Sequence, residues 1–211
     1  MKIVLFGDSI TDMQRARNDL TGVFAYGAGY PYVINSKLSE RNPLEHLLIN
    51  RGIGGDRTVD LYARIKMDVW NHNPDVLSIL IGVNDIWHEL GPNQNGVDIV
   101  RFEKVYRMII EDTLKVLPNI KIMLCEPFVL KGVATEEKYE EFLKVKDYAK
   151  IVKKLAQEYN QYFVPLQDKF DEMSNKYGNE IYLYDGVHPH IAGATLITNQ
   201  WLKVFDEKVN V

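Results

Sequence analysis

A chain of 211 residues, 46% of them hydrophobic and 26% charged, is long enough for one α/β domain with a sizeable core and has an ordinary globular composition. A net charge of −4 without a clustered basic stripe argues against a nucleic-acid surface, and no apolar run approaches a membrane span. The single cysteine, Cys125, excludes an intrachain disulfide and fits a reducing compartment. The N-terminus runs straight into an apolar segment and leaves no room for a signal peptide, so the expected location is cytoplasmic.

In chain order, Ile3 to Phe6 is an unbroken apolar run that reads as a buried strand of a parallel sheet, and Gly7 ends it. Asp8, Ser9 and Thr11 follow as small polar residues suited to a cap or turn. Met13 to Gly29 is a polar and aromatic loop containing Arg15, Arg17 and Tyr26. A helix is predicted from Tyr30–Pro31 to about Arg41, and a second strand over Leu44 to Ile49, ending at Asn50. In the turn RGIGGDRT that follows, three glycines in four positions imply unusual backbone angles or a close approach. Thr58 to Asn71 is predicted helical, with Tyr62, Ile65 and Val69 on one face. Asp75 to Ile81 is the third strand, breaking at Gly82 into VNDIWHE. A loop through GPNQNG leads to a long helix with Phe102, Val105, Ile109 and Leu117 at helical spacing. Ile120 to Cys125 is the fourth strand, ending in Glu126–Pro127–Phe128. Glu136 to Asn160 is predicted helical, its charge run a solvated face. Tyr162 to Pro165 is a short fifth strand, and Gln167 to Lys176 a further helix. The turn DGVHPH precedes a last helix whose inner face is Ile191, Ala194, Ile197, Trp201 and Phe205.

Strands alternating with helices predict a single domain over residues 1–211, with a parallel sheet of about five strands covered on both faces. Right-handed crossovers bring all strand carboxyl ends to one edge, where ligands bind in such folds. The chemically unusual residues gather at that edge: Ser9 after strand one, Asn50 to Asp56 after strand two, Gly82 to Asp85 after strand three, and Asp185 with His188 before the last helix.

GDS with Ser9, the glycine turn with Gly55, GVND with Asn84, and DGVH with Asp185 and His188 occur in the order of the four blocks of the SGNH, or GDSL-type, esterases. They span Gly7 to His188. The sequence resembles that family, with one conservative departure, GDSI for GDSL. The resemblance implies a flavodoxin-like three-layer α/β/α sandwich and a catalytic set of Ser9 as nucleophile, His188 as base and Asp185 as its orienter. It further implies an oxyanion hole made by Ser9, Gly55 and Asn84.

The residue chemistry is consistent with these roles. A serine hydroxyl needs a base titrating near neutrality, and a histidine serves when a carboxylate holds its tautomer and steadies its imidazolium. An oxyanion needs donors already in place. Other titratable residues read as structural: Asp8 as a turn acceptor, Asp56, Asp85 and Asn50 as loop ties, His46 and His72 as strand-edge and helix-end residues, and Cys125 as core. His190 is the rival base, at a helix start. No histidine–carboxylate set has metal-ligand spacing, so neither metal nor cofactor is expected.

GDSITD followed by RAR, the segment GAGY, GGDRTVDLYAR, IGVNDIWHEL and the pair Pro127–Phe128 look like the intracellular carbohydrate acetylesterases of the family, especially acetylxylan esterases. That likeness implies deacetylation of xylo-oligosaccharides or related sugars, often by a homo-oligomer, with a small or oligosaccharide ester as the partner. Trp87, Tyr26, Tyr30 and Phe128 would stack on sugar rings or close the acyl site, and Asp12, Arg15, Arg57 and His88 would bond hydroxyls. The aromatics equally suit loop packing or a subunit contact. A lysophospholipase or thioesterase of the same family is the alternative enzyme, and a non-catalytic carbohydrate-binding protein on the same fold is the alternative of another class.

Overall fold

The computed structural model describes residues 1–210. Five strands, β1 (Lys2–Gly7), β2 (Leu47–Gly52), β3 (Val76–Leu80), β4 (Lys121–Cys125) and β5 (Tyr162–Val164), form one sheet in the order β2-β1-β3-β4-β5. Every neighbouring pair is parallel. Ile3 to Phe6 and Val76 to Leu80 are buried on both faces. This is why they read as near-continuous apolar runs, interrupted only by Ser78, rather than alternating ones. The strand order is that of flavodoxin-like sheets, and the α/β/α sandwich expected from the sequence is the fold observed.

The helices are α1 (Ser9–Asp12), α2 (Tyr30–Arg41), α3 (Thr58–Asp68), α4 (Val83–Leu90), α5 (Ile99–Val116), α6 (Tyr139–Phe142), α7 (Val145–Glu158), α8 (Gln167–Tyr177), α9 (Asn179–Tyr182) and α10 (Ile191–Val204). Helices α3, α5 and α7 pack in a row, while α2, α8 and α9 gather around α10. Trp201 of α10 is fully buried and its indole Nε1 donates to Ser78 Oγ of β3 at 2.9 Å, tying the last helix to the sheet centre. Cys125 is core, as expected, and burial pushes its thiol up to about 12.

Several boundaries depart from the sequence reading. Strand two runs over Leu47–Gly52 rather than Leu44 to Ile49. Asn42 accepts from the backbone N–H groups of Leu44 and Glu45, so that stretch turns and Leu44 is left 94% exposed. The helix expected to reach Asn71 ends at Asp68 and continues as a 3₁₀ turn, Trp70–His72, closed by left-handed Asn73. Glu136 to Asn160 is not one helix: a 3₁₀ turn, α6 and α7 divide it, and Phe142 of α6 meets Trp87 edge-on at 5.7 Å. The segment VNDIWHEL is helical, and Ile191, expected on the inner face of the last helix, is 82% exposed at its start.

Strand order reverses between β1 and β3, with β2 on one flank of β1 and β3 on the other. A crevice opens at such a reversal, outside the strand carboxyl ends. Register places Gly7 of β1 beside Gly52 of β2 and Leu80 of β3, so the three chains leave the sheet at one level.

Candidate active site

Gly7 leaves β1 against the backbone. A Cβ there would stand 2.4 Å from the Leu80 carbonyl oxygen and 2.4 Å from Thr11 Oγ1. The tight exit turns the chain into α1, whose N-cap is Asp8: its Oδ1 accepts the Ile10 N–H at 2.9 Å. Ser9 is therefore the first residue of a one-turn helix, partly exposed above the β1 end.

Ser9 Oγ lies 2.8 Å from His188 Nε2, and His188 Nδ1 lies 2.6 Å from Asp185 Oδ2. The carboxylate keeps a proton on Nδ1, so Nε2 accepts the Ser9 hydroxyl hydrogen. Asp185 Oδ1 is itself held by the backbone N–H groups of Val187 and His188 at 2.9 and 2.8 Å. The loop carrying the pair is pinned by Leu130 N–H to the Gly186 carbonyl and Ala134 N–H to the Asp185 carbonyl. Burial alone would lower the His188 pKa. The Asp185 hydrogen bond and charge, with a smaller contribution from Asp8, outweigh it and hold the imidazole above its ordinary 6.5. Burial works against Asp185 too, and the His188 contacts with the two backbone donors bring its carboxyl below the usual range. Both shifts describe one ion pair formed when His188 gains a proton. Tyr184 stacks on His188, with ring centroids 5.7 Å apart and planes at 17°, and Trp87 stands 6.0 Å from the same ring.

Opposite the serine, the turn after β2 is exposed at Gly54 and Gly55. Gly55 has φ +86° with open space where a Cβ would be, so glycine relieves the backbone while leaving the approach clear. Asn84, in the first turn of α4, is 4% exposed, and its Nδ2 donates to the Asp56 carbonyl at 3.0 Å. The glycine turn and the α4 amide are thus joined directly.

Residues 5–196 match the GDSL-like lipase/acylhydrolase family. The chain belongs to it. An acetylxylan esterase of Geobacillus stearothermophilus is 32% identical over 207 residues, covering 96% of this chain and 92% of the esterase. Its solved structure superposes with a TM-score of 0.86 at 32% identity, over 96% of this chain and 92% of that one. A Parabacteroides merdae protein classed as GDSL-like superposes with a TM-score of 0.90 at 37% identity, over 97% and 95% of the two chains. Catalytic mutants of the Geobacillus esterase replace a serine, an aspartate and a histidine, the last two three positions apart. Membership makes this GDSL-like protein a carboxylic ester hydrolase.

The residues expected to meet substrate divide into two sets. Tyr30 is fully buried with its hydroxyl on Thr11, and Phe128 is 1% exposed against Phe170 at 4.4 Å, so neither ring has a face for a sugar. Tyr26 is buried as well. Asp12 accepts from Gly54 N–H, Arg15 N–H and the Arg17 guanidinium; it ties α1 to the glycine turn. Arg15 is 5% exposed and donates to the Gly52 carbonyl. These five predicted contacts, Asp12, Arg15, Tyr26, Tyr30 and Phe128, are corrected to structural roles. Arg57 is committed to Asp60 and the Asn95 carbonyl but remains at the edge of the site. Trp87 and His88 are partly exposed on α4, and burial first, then the Arg57 charge, lowers the His88 pKa. His190, the rival base, sits at the N-cap of α10 beside the Tyr184 ring, while Nε2 of His188 takes the serine.

Three contributors escaped the sequence reading. Tyr184, directly before the DxxH block, stacks on His188; Phe142, inside the stretch expected as one helix, meets Trp87; and Arg64 of α3, not singled out in the sequence, donates to the Gly7 and Arg51 carbonyls. A cavity of about 640 Å³ behind α4, lined by Ile86, Leu90, Val97 and Tyr148, includes none of Ser9, Asp185 and His188. Among the described residues no cluster of three or more His, Cys, Asp or Glu is placed to hold a metal ion.

Proposed function

We propose that this GDSL-like hydrolase removes acetyl groups from acetylated carbohydrates of the xylo-oligosaccharide type through an acetyl-enzyme on Ser9. The observation that carries the proposal is the hydrogen-bonded row Ser9–His188–Asp185, at 2.8 and 2.6 Å, standing against the Gly54–Gly55 turn. Ser9 Oγ attacks the acetyl carbonyl carbon while His188 Nε2 takes its proton, and Asp185 steadies the imidazolium. The oxyanion is met by the backbone N–H groups of Ser9 and Gly55 and by the Asn84 amide. His188 then passes the proton to the departing sugar oxygen, leaving acetyl-Ser9. Water attacks that ester with His188 again as base, and His188 returns the proton to Ser9 Oγ as the acyl–oxygen bond breaks and acetate leaves.

The acetyl preference rests on Trp87. Its ring is braced edge-on by Phe142 and stands beside His188, so it limits the length of an acyl group seated there. The acetylxylan esterase relative supports a carbohydrate on the leaving side. A longer acyl chain must clash with the Trp87 ring or displace it, and overpacking of this kind costs about 1–3 kcal/mol, roughly 5- to 150-fold in rate.

The test is kcat/KM for acetyl, butyryl and octanoyl aryl esters, alongside acetate release from acetylated xylo-oligosaccharides. A fall of more than about tenfold from acetyl to butyryl is expected from the clash, flattened in Trp87→Ala, with Ser9→Ala inert on every ester. Preference for octanoyl esters would replace the proposal with a lysophospholipase or thioesterase. Sugar binding without turnover would replace it with a binding protein.

A further inference from the structure

Arg64 lies two turns into α3, and its side chain crosses the carboxyl ends of β1 and β2 with 11% exposure. Four of its N–H groups have defined acceptors. Nη2 donates to the Gly7 carbonyl at 3.0 Å and Nη1 to the Arg51 carbonyl at 2.8 Å. Nη1 also donates to Asp68 at 2.5 Å, and Nε to Asp56 Oδ2 at 2.6 Å. The guanidinium plane sits over Phe6, its carbon 4.4 Å from the ring centroid.

The acceptors are unevenly placed in the fold. Gly7 is two residues before Ser9 on the turn that presents the hydroxyl. Arg51 enters the glycine turn and Asp56 leaves it, flanking Gly55. The backbone carbonyl of Asp56 is the group that receives the Asn84 amide. One rigid fork therefore links the segment carrying the serine to the segment carrying Gly55, and through Asp56 reaches Asn84. A buried ion pair needed only for stability would be complete with Asp68, which Arg51 also pairs.

We propose that Arg64 is a positioning residue that sets the separation between the nucleophile turn and the oxyanion donors, acting through the Gly7 carbonyl on one side and Asp56 on the other. The inference rests on the proposed roles of Ser9, Gly55 and Asn84. Planar guanidinium geometry is the essential property, because an ammonium carries the same charge without the spread of donors needed to reach three segments. Small displacements of oxyanion donors act on the transition state far more than on the bound ester.

The experiment uses an acetyl aryl ester, so that it does not depend on the sugar, and compares Arg64→Lys, Asn84→Ala and the double variant. Arg64→Lys is expected to lower kcat by about 10- to 100-fold with KM within about threefold. Asn84→Ala should lower kcat by about 100- to 1000-fold. If Arg64 acts on the oxyanion donors, the double variant falls clearly short of the product of the two single losses, because only the Gly55 donor is left to displace, whereas independent effects multiply. The acid limb of the pH profile should not move, since the Arg64 fork does not contact His188. Wild-type kcat in Arg64→Lys, or multiplication of the two losses, overturns the proposal. Should Arg64→Lys fail to fold, Asp56→Asn loosens the other end of the link while keeping the carbonyl, and the same comparison with Asn84→Ala decides. Retained turnover in Ser9→Ala would refute the underlying site instead, and separates the two failures.

Discussion

At the scale of single residues, the site turns on how one imidazole is held. As the proposed base, His188 would take the Ser9 proton only when neutral, and its pKa is raised by Asp185, so kcat/KM should fall as pH drops through a midpoint above 6.5. Asp185→Asn removes the charge that raises it and replaces one acceptor oxygen with an amide nitrogen. Burial then dominates, so the acid midpoint of the residual activity should move to lower pH while kcat falls on the order of 10⁴-fold. A kcat/KM profile from pH 4.5 to 9 checks both, and an unmoved midpoint would remove Asp185 as the cause of the shift. The pairing was legible in sequence because Asp185 and His188 stand three residues apart in one loop. The stacking of Tyr184 was not, since a tyrosine beside a turn carries no mark of where its ring points.

At the scale of elements, the junction of β1 and α1 tolerates no added atom on one side and tolerates one on the other. In Gly7→Ala the new methyl meets the Leu80 carbonyl at 2.4 Å, a backbone atom that cannot swing away. Overpacking of this kind costs about 1–3 kcal/mol. In Gly54→Ala the nearest atoms are at 3.7 and 3.8 Å, ordinary contact distances, and stability should stay within about 0.5 kcal/mol. Urea unfolding of the two variants measures the contrast; equal losses would mean that the β1 exit adjusts. Buried strands were the legible elements, because burial on both faces writes an apolar run directly into the chain. Helix α4 was less so. Its first turn, Val83 to Asp85, is buried, so the polar Asn84 and Asp85 lie where an amphipathic pattern would put apolar residues. The contact made by Phe142 was hidden for a related reason: Trp87 lies more than fifty positions away in the chain, and local periodicity does not report such a partner. Tyr30 and Phe128 lie near the right edge but face inward, a choice decided by packing with Thr11 and Phe170.

At the scale of the whole molecule, two carboxyl groups under the site tie its stability to pH. Asp8 is fully buried with Oδ2 unpartnered, and burial chiefly, with the Asp56 charge, pushes it up to about 7. Asp85 accepts the Thr58 N–H through both oxygens, yet burial and the Asp8 charge also bring it to about 7. An acid whose pKa is higher folded than unfolded binds a proton on folding, so its stabilising effect is complete below the unfolded value of 3.8 and is lost as pH rises through 7. Each such group contributes a slope of about −1.4 kcal/mol per pH unit in that window. Asp85→Asn should flatten the decline of unfolding free energy between pH 5 and 7, and urea titrations at several pH values test it; an unchanged slope would mean Asp85 is ionised in the native protein. A last consequence follows from the 179 positions separating Ser9 from His188. Ser9, the glycine turn and Asn84 are all synthesised more than a hundred residues before His188, the proposed base, which comes just ahead of α10. A nascent chain stalled anywhere before His188 can hold most of its sheet and still be chemically silent, so ester turnover on arrested ribosomes would mark the moment when the α10 segment clears the exit tunnel and closes the fold.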